Sequence, residues 1–335
     1  MRRSLAITFI ALSIAVGVYF NTVTVLPRNL GEVDTYVAAK AGKTEYVKLP
    51  RAWRPRLLAT ITASKFIPST ETEDGFHIAT FDAIEGIALH AGTWTLILCL
   101  ILGFLPNGLP AMIAVGTSIM YAYSPASRYC MLPWDIPSAT FFALLLYGTV
   151  RQKEYVIILA TVIGVAFKET AILGCLGMLA LTKFPMRDRL KLLVIGGAGG
   201  AAMKVLMDWV VGGDIGLTPT AQIGSGFRLF HNLRELAFII PPHGEHFEEW
   251  RLSMWNHLMF VNVGCLLLMF VIPTQSFTHM VWRYICGLIV FGLLLFGRVV
   301  EFRSFLDAMP AACYYVTTYI LKDKNEYRTN VQLTE

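Results

Sequence analysis

The chain has 335 residues, 55% of them hydrophobic and only 15% charged, with a mean hydropathy of +0.57. Soluble domains carry about 25% charged residues, so this balance excludes an ordinary soluble globular protein and points to the membrane. The net charge of +5 is not a nucleic-acid signal, because the Lys and Arg residues lie mostly in short loops, where they set orientation in a bilayer.

In chain order, Met1-Arg2-Arg3 precedes an apolar stretch over 4–20. A cleaved signal peptide has this pattern, but no A-x-A site follows, which favours a retained first helix. Residues 21–81 form the longest hydrophilic loop, punctuated by Pro27, Pro50, Pro55 and Pro68, with a short interfacial helix expected near 53–66. Apolar runs then recur near 85–104, 109–124, 137–150, 155–167, 170–182, 192–211, 256–273, 280–297 and 304–321. Several are shorter than the ~20 residues of a normal span. A second hydrophilic loop covers 212–255, and its run 229–240 has helical spacing suited to lying flat on the membrane. The expected fold is a single all-α integral membrane domain over 1–335, a polytopic helical bundle of about eight to ten spans. Residues 322–335 are its expected cytoplasmic tail.

The most informative segment is Lys168-Glu169-Thr170, inside the apolar run 155–181. Ionisable groups at membrane depth are costly, so they face protein or water and mark a functional site. The alternative is a water-exposed turn between two shorter helices. Charge tests the choice. With Met1 in the cytoplasm of a prokaryotic plasma membrane, the basic loops 151–153 and 183–191 and the tail 322–328 all fall on the cytoplasmic side. That holds only if 155–182 is two halves turning at Lys168-Glu169. The loop near 274–279 should also be cytoplasmic, yet has no Lys or Arg. The same assignment brings both long loops, residues 123–135, Lys168-Glu169 and 298–303 to the outer (periplasmic or luminal) face.

Several polar groups there are candidates for chemistry. Glu32 and Asp34, spaced i, i+2 in a loop, can divide the roles of base and metal ligand, with Asp34 as a candidate ligand for a divalent cation such as Mg or Mn; a solvated loop is the plainer reading. Arg51, Arg54 and Arg56 surround Trp53 and Pro55. Arg forks suit phosphate oxygens, and interfacial anchoring explains them equally well. Asp135, with Arg128 upstream, opens an apolar helix that carries Pro137 in its first turn. Lys168 and Glu169 are either a structural ion pair at a re-entrant turn or a site where Lys168 faces a lipid phosphate. Lys204 and Asp208, four apart, read as a structural pair on one helix face. Arg298, Glu301 and Arg303 precede the last apolar run, as phosphate contacts or as a snorkelling collar. His243 and His246, near Glu245, Glu248 and Glu249, match no strong metal spacing and read as solvated loop. The six cysteines form no CxxC pair, five lie in apolar runs, and they read as small core residues. No N-x-Ser/Thr sequon occurs.

Taken in order, these motifs resemble the GT-C superfamily of integral-membrane glycosyltransferases, which use polyprenyl-phosphate sugars. The resemblance rests on Glu32-x-Asp34 in the first outer loop and the R-x-x-R-P-R-L-L string that closes that loop. It also rests on Asp135-x-Pro137 followed by Lys168-Glu169-Thr170, and on Glu301-x-Arg303-x-Phe305 before the last helix. It implies a GT-C-like fold and a polyprenyl-phosphate sugar lipid as donor. Asp34 would act as general base or metal ligand, with Glu32 beside it. Arg54, Arg56, Arg128, Asp135, Lys168, Glu169, Arg298, Glu301 and Arg303 would contact substrate. The rival expectations are a non-catalytic lipid-linked-sugar carrier or flippase, a subunit of a membrane complex, and a polymerase or ligase of surface polysaccharide.

Overall fold

The structure, a computed structural model, describes residues 2–25, 57–67, 70–72, 75–77, 80–122, 135–210, 261–296 and 305–332. The described helices are α1 (Arg2–Val25), α2 (Leu57–Lys65), α3 (Thr80–Gly103), α4 (Gly108–Ala122), α5 (Asp135–Val150), α6 (Glu154–Phe167), α7 (Met186–Val210), α8 (Val261–Val271), α9 (Phe277–Phe296) and α10 (Met309–Gln332). A 3-10 helix, Glu169–Ala180, follows α6. The one departure from an all-α fold among the described residues is a short antiparallel hairpin, β1 (Thr70–Thr72) and β2 (Gly75–His77), with Glu71 opposite Phe76.

Four helices are long and apolar enough to cross a membrane: Arg3–Thr24, Phe81–Gly103, Met186–Val210 and Phe277–Leu295. The chain is therefore a helical membrane protein. Against the eight to ten spans expected, other apolar segments are shorter. α4, α5, α6 and the 3-10 helix have 15, 16, 14 and 12 residues. α10 continues as helix through Gln332. Near 53–66 the structure has α2, which begins at Leu57.

Between helices in lipid the hydrophobic effect supplies little, so close approach and polar contacts carry the packing. α1 shows this. Ile7, Ala11, Ile14 and Val18 are buried along it. A Cβ on Gly103 would run into Ile7, one on Gly92 would crowd the Ala15 carbonyl, and one on Gly116 would run into Ile14. The glycines let α1 lie antiparallel on α3 and against α4. α7 is the opposite case. It exposes Leu190, Val194, Ile195, Val205, Leu206 and Trp209, and its buried positions are Gly196 and Gly200. Those two glycines face Cys175 and Ile172 of the 3-10 helix, a small-xxx-small seam with lipid on the other side.

The run 155–181 folds as two halves, α6 and the 3-10 helix, that reverse at Lys168. Twelve residues in 3-10 form is long for a geometry usually found in runs of 3–4. The sequence accounts for it. Ala171, Gly174, Gly177 and Ala180 recur every third residue, and all four are buried. Three residues per turn puts them in one line. A Cβ on Gly174 would strike Leu145 of α5, and one on Gly177 would meet Thr149 of α5 and Ile157 of α6. The stripe is thus pressed against α5 and α6, and 3-10 pitch is what keeps it in register.

Basic residues gather at the end opposite this turn. Gln152, with φ 55°, reverses the chain between α5 and α6. Its amide donates to Ala180 O at 3.1 Å and to Thr149 O at 2.8 Å, and its Oε1 accepts from Thr182 and Lys183. Lys183 pairs with Glu154 at 2.5 Å. Arg151 donates to Phe104 O and Arg3 to Leu105 O, so with Lys183 three basic groups share this end. The puzzling uncharged loop 274–279 is served from within α9. Arg283 folds back, donating to Thr274 Oγ1 at 3.0 Å and to Ile272 O. Arg189 also lies over the Phe277 ring, 5.8 Å from its centroid.

Two further structural expectations can be seen. Lys204 pairs with Asp208 on α7. Cys99, Cys265, Cys286 and Cys313 are buried free thiols, and Cys175 is half-buried.

Candidate functional site

Three charged side chains from three parts of the chain meet at the α6 turn. Lys168 Nζ lies 3.0 Å from Asp307 Oδ2 and 3.9 Å from Asp135 Oδ1. Thr170 donates its hydroxyl to the same Asp307 Oδ2 at 2.7 Å. Asp307 is fully buried, Asp135 is 2% exposed and Lys168 8%. The second oxygen of Asp307, Oδ1, is buried without a hydrogen-bond partner among the described residues.

Local structure explains how such burial is tolerated. Asp135 opens α5, with Pro137 in the first turn as the sequence predicts. Asp307 lies just before Met309, where α10 starts. Helix N-termini favour anions, and the C-terminus of a helix favours a cation. Lys168 is the residue that closes α6, in extended conformation, its N–H donating to Gly164 O at 2.8 Å. Each charge therefore sits at a helix end of complementary sign. Along α5, Asp135 and Thr149 are about 21 Å apart at 1.5 Å per residue, so the cluster and the basic end occupy opposite ends of the bundle.

An aromatic layer adjoins the cluster. Phe167, next to Lys168, packs on Phe141 of α5 and Trp94 of α3, with ring centroids 5.0 and 5.3 Å away. Trp94 in turn meets His90, and His90 meets Phe66. Ion pairs in low-dielectric surroundings of this kind are stronger than in water.

Two of the sequence candidates, Asp135 and Lys168, are thus brought together, with Glu169 next in the chain. Lys168 pairs with Asp307 and Asp135. Sequence reading missed Asp307. The signal was present: an acid inside an apolar string, just ahead of Pro310, falls under the same rule that singled out Lys168. Glu32, Asp34, Arg54, Arg56, Arg128, Arg298, Glu301 and Arg303 lie outside the described residues, as do His243, His246 and their neighbouring Glu residues.

The described residues do not make a metal seat. No group of three or more His, Cys, Asp or Glu is gathered among them, and Lys168 takes the position between Asp135 and Asp307 that a cation would need. What the cluster can do chemically is present an ammonium group held by two carboxylates, one of which, Asp307, has an oxygen without a hydrogen-bond partner among the described residues.

Comparison with known proteins gave no match: no protein-family model, curated protein or solved structure matches the chain.

Proposed function

We propose that this membrane protein is a glycosyltransferase of GT-C type, moving a sugar from a polyprenyl-phosphate donor to an acceptor on the outer face. The observation that carries the reading is the Asp135–Lys168 approach at 3.9 Å. Two motif residues named by the resemblance, distant in sequence, belong to one buried polar centre. A hydrophobic trio of similar volume would be at least as stable as a buried ion cluster, so stability alone is a poor reason for the cluster. Buried charges at membrane depth mark function more often than architecture.

In this reading Asp34 is the general base that takes a proton from the acceptor hydroxyl. The lipid phosphate is the leaving group, and Arg and Lys side chains of the outer face neutralise its charge. Inverting transfer needs no carboxylate nucleophile, so one acid suffices. The Asp135–Lys168–Asp307 cluster positions the wall of this site rather than reacting itself.

A second reading is favoured by one observation. Lys168 is already held by Asp307 at 3.0 Å, which suits a purely structural clamp in a lipid-linked-sugar carrier or a membrane-complex subunit. The test is sugar transfer by purified protein from labelled polyprenyl-phosphate sugars, wild type against Asp34→Asn. Transfer that vanishes in a well-folded Asp34→Asn supports the enzyme. Binding of lipid phosphate without transfer from any donor supports the carrier.

A further inference from the structure

Two guanidinium groups from distant parts of the chain converge on one turn. The turn follows α3, and two consecutive carbonyls in it hold the pair. Arg151, between α5 and α6, donates to Phe104 O at 3.1 Å, and Arg3, at the start of α1, donates to Leu105 O at 3.4 Å. Each bond occupies one Nη2 atom. A guanidinium has five N–H donors in a planar fork, so capping these carbonyls orients each fork and leaves most of its donors for an outside acceptor. Both residues are exposed, so an acceptor needs no opening into the bundle.

The pair lies at the membrane boundary. The span of α1 begins at Arg3, and the span of α3 ends at Gly103, one residue before the turn. Two spans thus end on one level, beside the headgroup layer of a bilayer, where lipid phosphates lie. The neighbouring helices bring no carboxylate to the pair. α1 and α4 contain no acidic residue. The acids of α3 and α5 lie toward the far ends of those helices, and Glu154, three residues after Arg151, is taken by Lys183. Apolar side chains stand beside the pair instead: Leu5 is 65% exposed and Phe104 44%. Acyl chains can lie on such surface while a headgroup meets the guanidinium groups, which suits a lipid better than a free anion.

We propose that Arg3 and Arg151 seat the phosphate of an anionic phospholipid from the leaflet at the basic end, so that one lipid ties the start of α1 to the α5–α6 turn. Arg forks match phosphate oxygens, which accept two N–H bonds at once. The seat is at the end of the bundle opposite Lys168 and does not depend on sugar transfer. Basic loops of any kind attract anionic lipid diffusely, by about fivefold per charge. A seat differs in that the preference falls on these two residues and not on every cation of that end.

The experiment titrates the full chain, purified in a non-ionic detergent, with phosphatidylglycerol, and counts retained lipid by native mass spectrometry. Phosphatidylcholine with the same acyl chains is the zwitterionic comparison. Wild type retains one phosphatidylglycerol at concentrations where phosphatidylcholine is not retained. Arg3→Gln with Arg151→Gln weakens that retention about tenfold more than Arg187→Gln with Lys191→Gln, a pair of exposed cations near the start of α7. Both double variants remove the same charge. Equal weakening in the two, or no preference of wild type for phosphatidylglycerol, overturns the proposal. If Arg3→Gln with Arg151→Gln does not fold, Arg3→Lys with Arg151→Lys serves. It keeps the charge and loses the fork, so retention as tight as wild type overturns the seat. At equal concentration, glycerol phosphate leaves the lipid in place. Displacement would assign the seat to a soluble phosphate and overturn the lipid. No sugar donor is present in any arm, so these outcomes stand apart from whether the protein transfers sugar.

Discussion

Lys168 and Asp307 lie 3.0 Å apart at helix ends of opposite polarity, the one closing α6 and the other just ahead of α10. The contact ties the turn in the middle of the 155–181 run to the last helix. It also leaves the three-residue cluster with one more carboxylate than ammonium group. Removing one partner of a buried pair is far more damaging than removing both, because it strands a charge. Lys168→Met should lower stability by about 3–5 kcal/mol, measured by unfolding in detergent. The double variant Lys168→Met with Asp307→Asn should recover most of that loss. Additive losses would mean that the two side chains are not coupled.

The small-residue stripe makes a separate claim. Gly174→Val places a side chain where Leu145 already sits, and overpacking of this kind costs about 1–3 kcal/mol. Leu145→Ala, harmful alone, should partly rescue it. Melting temperatures of the two single variants and the double variant decide the matter, and a Gly174→Val protein as stable as wild type would remove the stripe from the account.

Thr149 ties α5 to α9. Its hydroxyl accepts from the fully buried Trp282 indole N–H at 2.9 Å. Thr149→Val keeps the shape and orphans that donor, at a cost of about 1–3 kcal/mol. Thr149→Ser should retain the bond and come close to wild type in the same unfolding experiment.

Topology is testable through the basic end. Single cysteines at Lys153, Lys183 and Thr274 should react with a membrane-impermeant maleimide from the same side, and from the side where cytoplasmic loops lie. Reaction of the Thr274 position from the other side would separate Arg283 from the positive end that the fold gives it.

Much of this architecture was readable from residues. The turn at Lys168-Glu169 followed from charge and loop arithmetic, and α5 begins where Asp135 and Pro137 place it. Three features were not read. Asp307 was passed over because neighbouring Glu301 and Arg303 drew attention to themselves as a charged string. The period of three in Ala171, Gly174, Gly177 and Ala180 was hidden by the assumption that an apolar run has helical period 3.6. The charge absent from 274–279 is supplied by Arg283, which sits inside an apolar helix and reaches back along its own axis, a snorkelling geometry that loop counting cannot register. Of the eight to ten spans expected, four are long and apolar enough to cross among the described residues.

The central claim is that the buried cluster belongs to a working site and is not merely a brace. The most direct measurement is sugar transfer and unfolding stability on the same preparations of wild type, Lys168→Met and Lys168→Met with Asp307→Asn. The account predicts that the double variant regains stability while transfer stays lost. If transfer returns in step with stability, the cluster is a brace and not part of the working site; if no preparation transfers sugar while the stability pattern holds, the proposed function is wrong.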